Sequence, residues 1–278
     1  MQIRDYSLPA GWFPRDSDSI SGFLSEFEGK KDFCRAVISP HAGWYYSGRL
    51  GAIAVSSLVR QAQTIVIIGG HLSEGSPALF AMEDAVKTPL GPMPIDAKFR
   101  SKLIKEIDGV LAAAEDRYRD NTIEVILPMA RYFFPDAMLL WLRLPSEKAS
   151  FEAGKIISHT AAELNMSINV IASTDLTHYG ANYGFSPHGR GKEALQWVRE
   201  VNDAAFIKAV ESGRCDEVLS CAEKDHSSCS SGAVLGVMGF AEAENLGAAR
   251  LLEYATSAGV DDDVPDSFVG YAAFAFGG

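Results

Sequence analysis

Arg35-Ala36-Val37-Ile38-Ser39-Pro40-His41-Ala42-Gly43-Trp44-Tyr45-Tyr46-Ser47-Gly48 holds a complete unit of architecture. Its apolar start, ending in Ser39 and Pro40, reads as a buried strand. A helical pattern begins near Gly48 and continues to Arg60. His41 sits in the turn between them, at the strand's carboxyl end, where open α/β sheets build their sites. The pattern returns in Ile65-Val66-Ile67-Ile68-Gly69-Gly70-His71. If the two strands are parallel neighbours, His41 and His71 converge on one ion.

Outward from these units, strands and helices alternate. Further strands are predicted at 78–82, 137–144, 168–173, 251–256 and 268–276, and helices at 19–27, 98–107, 122–133, 151–164, 191–212, 216–221 and 232–243. Several strands are continuous apolar runs, which suits a sheet covered on both faces. The expectation is one α/β domain spanning residues 1–278, with a mainly parallel central sheet flanked by helices. Asn202-Asp203 falls inside a long amphipathic helix and is expected to face water. The glycine- and aromatic-rich segment 179–190 is a loop and a candidate lid. Asp261-Asp262-Asp263 reads as a solvated turn.

The chain has 278 residues, of which 47% are hydrophobic, enough for a substantial core. A formal net charge of −11 argues against nucleic acid as a partner, since phosphate binding needs clustered Lys and Arg. No run of about 18 apolar residues offers a membrane span, and the first residues lack a signal-peptide pattern, so a cytoplasmic location is expected. Four cysteines without a C-x-x-C pair give no disulfide framework.

Two more segments carry chemistry. In Ser173-Thr174-Asp175-Leu176-Thr177-His178, Asp175 and His178 are spaced to share one face of a helical turn, where the carboxylate would orient the imidazole. In Asp225-His226-Ser227-Ser228-Cys229-Ser230-Ser231-Gly232, Cys229 stands just before a helical run, a position that favours the thiolate, the form that binds metal or attacks an electrophile. Cys34, Cys215 and Cys221 lack such surroundings. Each residue also has a plainer role: a packed histidine, a helix cap by Asp175, a buried thiol.

Taken together and in order, these motifs resemble the Memo family, whose bacterial and archaeal members are also called AmmeMemoRadiSam system protein B. The pattern P-H-A-G-[YW]-x-Y-S-G matches residues 40–48, and T-P-L-G matches Thr88-Pro89-Leu90-Gly91. H-S-I-E-x-x-L-P corresponds to Asn121-Thr122-Ile123-Glu124-Val125-Ile126-Leu127-Pro128, and S-S-D-x-[ST]-H-[YW]-G to Ser173–Gly180. C-G-x-x-P-[IV] is approached by Cys229–Val234, and the C-terminal S-Y-A-A by Val269–Ala273. The resemblance implies a fold similar to the LigB-like class III extradiol dioxygenases. It further implies a metal on His41, His71 and Cys229: redox-active iron(II) first, then copper, with redox-inert zinc as an alternative. By the same resemblance Asp175, His178 and Glu124 would line the cleft, with His178 as base. A functional link to radical SAM and AMMECR-domain proteins is also implied. The chain departs from the pattern where Asn121 replaces a histidine, where the Gly69-Gly70-His71 turn is one residue shorter, and where Ser230 and Ala233 replace a glycine and a proline. His226 is a substitute ligand in reach by sequence.

Three functions follow as expectations. One is a metalloenzyme with open positions for oxygen and a substrate, its pocket shaped by Trp44, Tyr45, Tyr46 and Tyr179. Another is a non-catalytic adaptor that binds a peptide or protein in the same cleft. The third is a hydrolase in which Cys229 is the nucleophile, with His226 or His178 as its base.

Overall fold

A computed structural model describes residues 1–29, 33–259 and 264–277. The acidic turn Asp261-Asp262-Asp263 lies outside the described residues.

Nine strands form the main sheet: β1 Ala36–Ser39, β2 Thr64–Gly69, β3 Ala78–Phe80, β4 Ala113–Glu115, β5 Met138–Arg143, β6 Ile168–Ser173, β7 His178–Gly180, β8 Ala249–Thr256 and β9 Ser267–Phe276. Their order is β7-β9-β1-β6-β2-β5-β3-β4, with β8 added against β9. The four central strands β1, β6, β2 and β5 are parallel. The flanks are mixed: β9 runs antiparallel to β1, β7 and β8, and β3 antiparallel to β5. The α/β fold with a central sheet flanked by helices is as read from the alternation, and the structure adds antiparallel strands at the borders of its parallel core. The short β7 was not visible in the sequence because its residues match a helical spacing as well as a strand.

The continuous apolar runs are explained by two cores. Ile38, Val66, Ile68, Leu140, Leu142 and Val170 face one core, under the helices Ala97–Ile107, Ala149–Glu163 and Ser231–Ala243. Their neighbours Val37, Ile65, Ile67, Leu139, Trp141 and Ile171 face the other, under Ser17–Ser25, Trp44–Ser56 and Leu127–Phe133. Alternate residues of each strand point to opposite faces, so a strand covered on both sides must be apolar throughout.

The helix Ser231–Ala243 packs closely because it is studded with small residues. A Cβ at Gly239 would lie inside contact distance of the Phe151 carbonyl, and one at Gly232 would strike the Pro145 carbonyl. This close seating fixes where the helix begins, and hence where Cys229 is held.

The predicted helix over 191–212 is present but not uniform. It widens into a π turn at Val198–Asn202 between Lys192–Trp197 and Asp203–Glu211. The extra residue turns both Asn202 and Asp203 inward, where they are buried. The expectation that they face water is therefore corrected. Their polar ends are satisfied at Thr177: Asn202 Nδ2 donates to its hydroxyl at 2.9 Å, and Asp203 Oδ1 accepts from its amide at 3.1 Å. The predicted helix over 122–133 is likewise two pieces, Asn121–Glu124 and Leu127–Phe133.

Candidate metal centre

β1 and β2 are not neighbours, since β6 lies between them. Their histidines meet all the same, because both loops lean across the carboxyl end of β6. The His41 and His71 rings stand edge to face with centroids 5.0 Å apart. Two glycines allow this approach. A Cβ at Gly69 would overlap the Thr122 hydroxyl, and one at Gly70 would overlap the Ser230 side chain. His71 itself takes a left-handed backbone, φ 56°, which aims its ring back over the sheet.

Cys229 completes the group from the loop before the helix Ser231–Ala243. Its Sγ lies 3.3 Å from His41 Nε2. Donor atoms of His41, His71 and Cys229 all lie within 4.8 Å of one another. Donors bound at about 2.0–2.3 Å around a tetrahedral ion stand roughly 3.3–3.8 Å apart, so this set fits a small transition-metal ion. The other ring nitrogens are already engaged, His41 Nδ1 with Ser173 Oγ at 2.6 Å and His71 Nδ1 with Asp120 Oδ2 at 2.9 Å. Ligating histidines are typically held in this way through their second nitrogen.

Without an ion, the electrostatics describe a thiolate held by two imidazoliums, which must give up their ligating protons to bind a metal. Burial opposes a charge on Cys229, but His41 and His71 outweigh it and hold the thiol well below its ordinary pKa. The thiolate is the ligating form. Burial likewise opposes an imidazolium at His71, and Asp120 with Cys229 outweighs it, raising His71 to about 10. His41 is raised by Asp175 and Cys229 against the burial cost.

Asp175 and His178 do not share a helical turn. Residues 174–177 are an extended loop and His178 opens β7. Asp175 instead serves its two neighbours: Oδ1 accepts the His41 amide at 2.7 Å, and its own amide points at Cys229 Sγ at 3.3 Å. Burial pushes its carboxyl up. His178 Nδ1 faces the Leu176 carbonyl at 3.1 Å, so Nδ1 carries the proton and Nε2 is the basic nitrogen.

His41, His71, Asp175 and His178 line one cavity of about 680 Å³. Trp12, Tyr46, Tyr183 and Tyr271 supply aromatic wall, and Asn121 and Asn182 supply amides. Tyr46, in the first turn of the helix Trp44–Ser56, and Tyr183, in the 179–190 segment, are thus cavity residues, whereas Trp44 and Tyr179 are buried in the cores. Asn121 stands where the motif has histidine, and its Nδ2 donates to the His41 carbonyl at 3.1 Å.

Two expectations are corrected by position. Glu124 does not face the cavity. Its carboxylate is taken up by the Ser7 amide at 2.8 Å, the Ser7 hydroxyl and the Leu8 amide at 2.9 Å. It latches the N-terminal segment whose Ala10, Gly11 and Trp12 form one cavity wall. His226 is no ligand of this group. It ends the helix Cys215–Asp225 in a left-handed conformation and packs edge-on against Phe185 with centroids 4.8 Å apart.

A family model described as Memo-like protein matches residues 4–275. The chain belongs to the Memo family. A MEMO1 family protein of Pyrococcus horikoshii is 30% identical, covering 98% of both chains. One from Methanococcus maripaludis is 31% identical over 85% of this chain and 82% of its own. Among solved structures, an uncharacterised protein of Escherichia coli K12 aligns with a TM-score of 0.55 at 13% identity, covering 87% of this chain and 99% of that one. That likeness concerns the fold alone. Within this Memo-family chain, the His/His/Cys grouping joins three segments far apart in sequence at the carboxyl end of the central parallel strands.

Proposed function

We propose that this Memo-family protein is a metal-dependent oxidoreductase of the dioxygenase-like kind, with iron(II) ahead of copper or zinc on His41, His71 and Cys229. The single observation that carries the reading is the convergence of two oriented imidazoles and a half-buried thiolate beside a cavity large enough for a small molecule or a peptide side chain. A bound redox metal would supply one-electron and oxygen chemistry there. The chain's own residues would do the rest. Ser173 and Asp120 fix the two rings, and Asp175 holds the His41 backbone and the sulfur in register. His178, its Nδ1 engaged by the Leu176 carbonyl, accepts a proton at Nε2 from a ligand in the cavity. Trp12, Tyr46 and Tyr183 give the ligand an aromatic wall to pack against. A cytoplasmic, reducing setting would keep Cys229 from being oxidised to a disulfide. Radical SAM and AMMECR-domain proteins remain the functional associates that the family suggests, and co-purification with them tests that link.

The test is anaerobic reconstitution with iron(II), wild type beside Cys229→Ser, followed by metal analysis. Near-stoichiometric iron in the wild type and its loss in the variant support the reading. No metal in either protein sinks it.

A second reading draws on the 3.3 Å Cys229–His41 contact, which also suits a thiol nucleophile. Alkylation of Cys229 separates the two: metal ligation protects the sulfur, and a nucleophile stays reactive in the presence of metal. The adaptor alternative, a cleft that binds a peptide without chemistry, draws on the replacement of a motif histidine by Asn121, and turnover of oxygen by the loaded protein would remove it.

A further inference from the structure

Arg143 closes β5 and is 3% exposed, paired across to Gly69 at the end of β2. A buried guanidinium needs several acceptors, and this one has three. Its Nε donates to the Gly70 carbonyl at 2.9 Å. Its Nη2 lies 3.2 Å from Asp120 Oδ2, and its Nη1 is 3.3 Å from Asp116 Oδ1.

Two of these acceptors belong to the support of His71. Gly70 is the residue before it, and Asp120 Oδ2 is the same oxygen that meets His71 Nδ1. The third is an anchor. Asp116 Oδ2 accepts from Trp141 Nε1 at 2.8 Å, and Arg4 stacks over the Trp141 ring at 4.6 Å while donating to the Asp116 carbonyl at 2.6 Å. Asp120 is held on its other oxygen by the Thr122 amide at 2.8 Å and hydroxyl.

We propose that Arg143 is the positioning residue of the metal centre: one planar guanidinium fixes both the peptide that leads into His71 and the carboxylate that orients its ring. This rests on the reading of His71 as a ligand. The backbone of His71 is in the left-handed region, which a non-glycine residue leaves readily unless its surroundings hold it. The clamp on Gly70 and Asp120 supplies that restraint, so the Nε2 side of the ring stays directed at Cys229. A lysine cannot replace it, because a single ammonium on a flexible stem does not span three acceptors in a plane.

The experiment is anaerobic cobalt(II) titration, read by thiolate-to-cobalt charge-transfer and ligand-field absorption, with thermal melts of the metal-free proteins alongside. Wild type, Arg143→Met, Arg143→Lys and Arg35→Met are compared. Arg35 is a control: it sits just before β1, at the opposite end of the sheet, paired with Glu244 at 2.5 Å. Arg143→Met and Arg143→Lys are expected to bind cobalt(II) about 10–100-fold more weakly, with a shifted ligand-field band, as for other groups that orient ligating histidines. Arg35→Met keeps wild-type affinity and spectrum whatever its melting temperature. Arg143→Lys retains the buried charge and keeps the test readable if Arg143→Met does not fold. Wild-type affinity and spectrum in Arg143→Lys overturn the positioning role while leaving the metal site standing. Failure of the wild type to bind cobalt(II) overturns both.

Discussion

Asp203→Asn should make the protein more tolerant of neutral pH, and the structure gives the size of the effect. Asp203 is fully buried behind β9, where the Thr177 amide and hydroxyl and the Tyr254 hydroxyl, at 2.8 Å, converge on its carboxylate. Burial pushes its pKa up, those donors pull it back, and the balance stands at about 6 against an ordinary 3.8. A carboxyl with a raised folded-state pKa holds its proton more tightly when folded than when unfolded. Its favourable contribution is complete below pH 3.8 and is lost as pH rises through about 6. A gap of about two pH units, at about 1.4 kcal/mol per unit, puts the loss at about 3 kcal/mol by pH 7. Asparagine keeps the shape and one acceptor oxygen for Thr177 and never ionises, while the Tyr254 hydroxyl can turn to accept from its amide. The stability difference, variant minus wild type, should therefore rise by up to about 3 kcal/mol between pH 4 and pH 7, or roughly 5 °C in melting temperature for a chain of this size. Circular-dichroism melts of both proteins across that range measure it. A difference in melting temperature that does not change with pH would refute the argument.

Two further outcomes follow from packing. Glu124→Gln replaces a carboxylate that accepts three bonds by an amide with one acceptor oxygen, so the latch on Ser7 and Leu8 should weaken by about 2 kcal/mol. Hydrogen exchange at those two amides should then rise on the order of 30-fold, and an unchanged rate would show that the segment is held by something else. Gly239→Ala should destabilise by about 1–3 kcal/mol, because its Cβ meets the Phe151 backbone, whereas Gly22→Ala, with open space around it in the helix Ser17–Ser25, should stabilise by about 0.5–1 kcal/mol. Thermal melts in which both substitutions move stability the same way would contradict the packing account.

Much of this protein is written locally. The apolar runs before His41 and His71 and the glycines after them form strands that end in turns wherever they are placed, because the signals lie within a few residues. All seven predicted strands were found within a residue or two of their places, with 78–82 shortened to Ala78–Phe80. The candidate ligands were legible for the same reason: His41, His71 and Cys229 each sit at a strand end or helix start, beside small residues. What sequence could not supply was company. The insertion of β6 between β1 and β2, the inward turn of Asn202 and Asp203 at a π turn, and the hold of Glu124 on Ser7 depend on contacts between residues tens to more than a hundred positions apart. Asp120 and Arg143 lie outside the motifs, and Ser173 opens one without any sign there that it supports His41. Only tertiary structure decided their role, since a buried polar group takes whichever partner the fold brings within hydrogen-bonding distance.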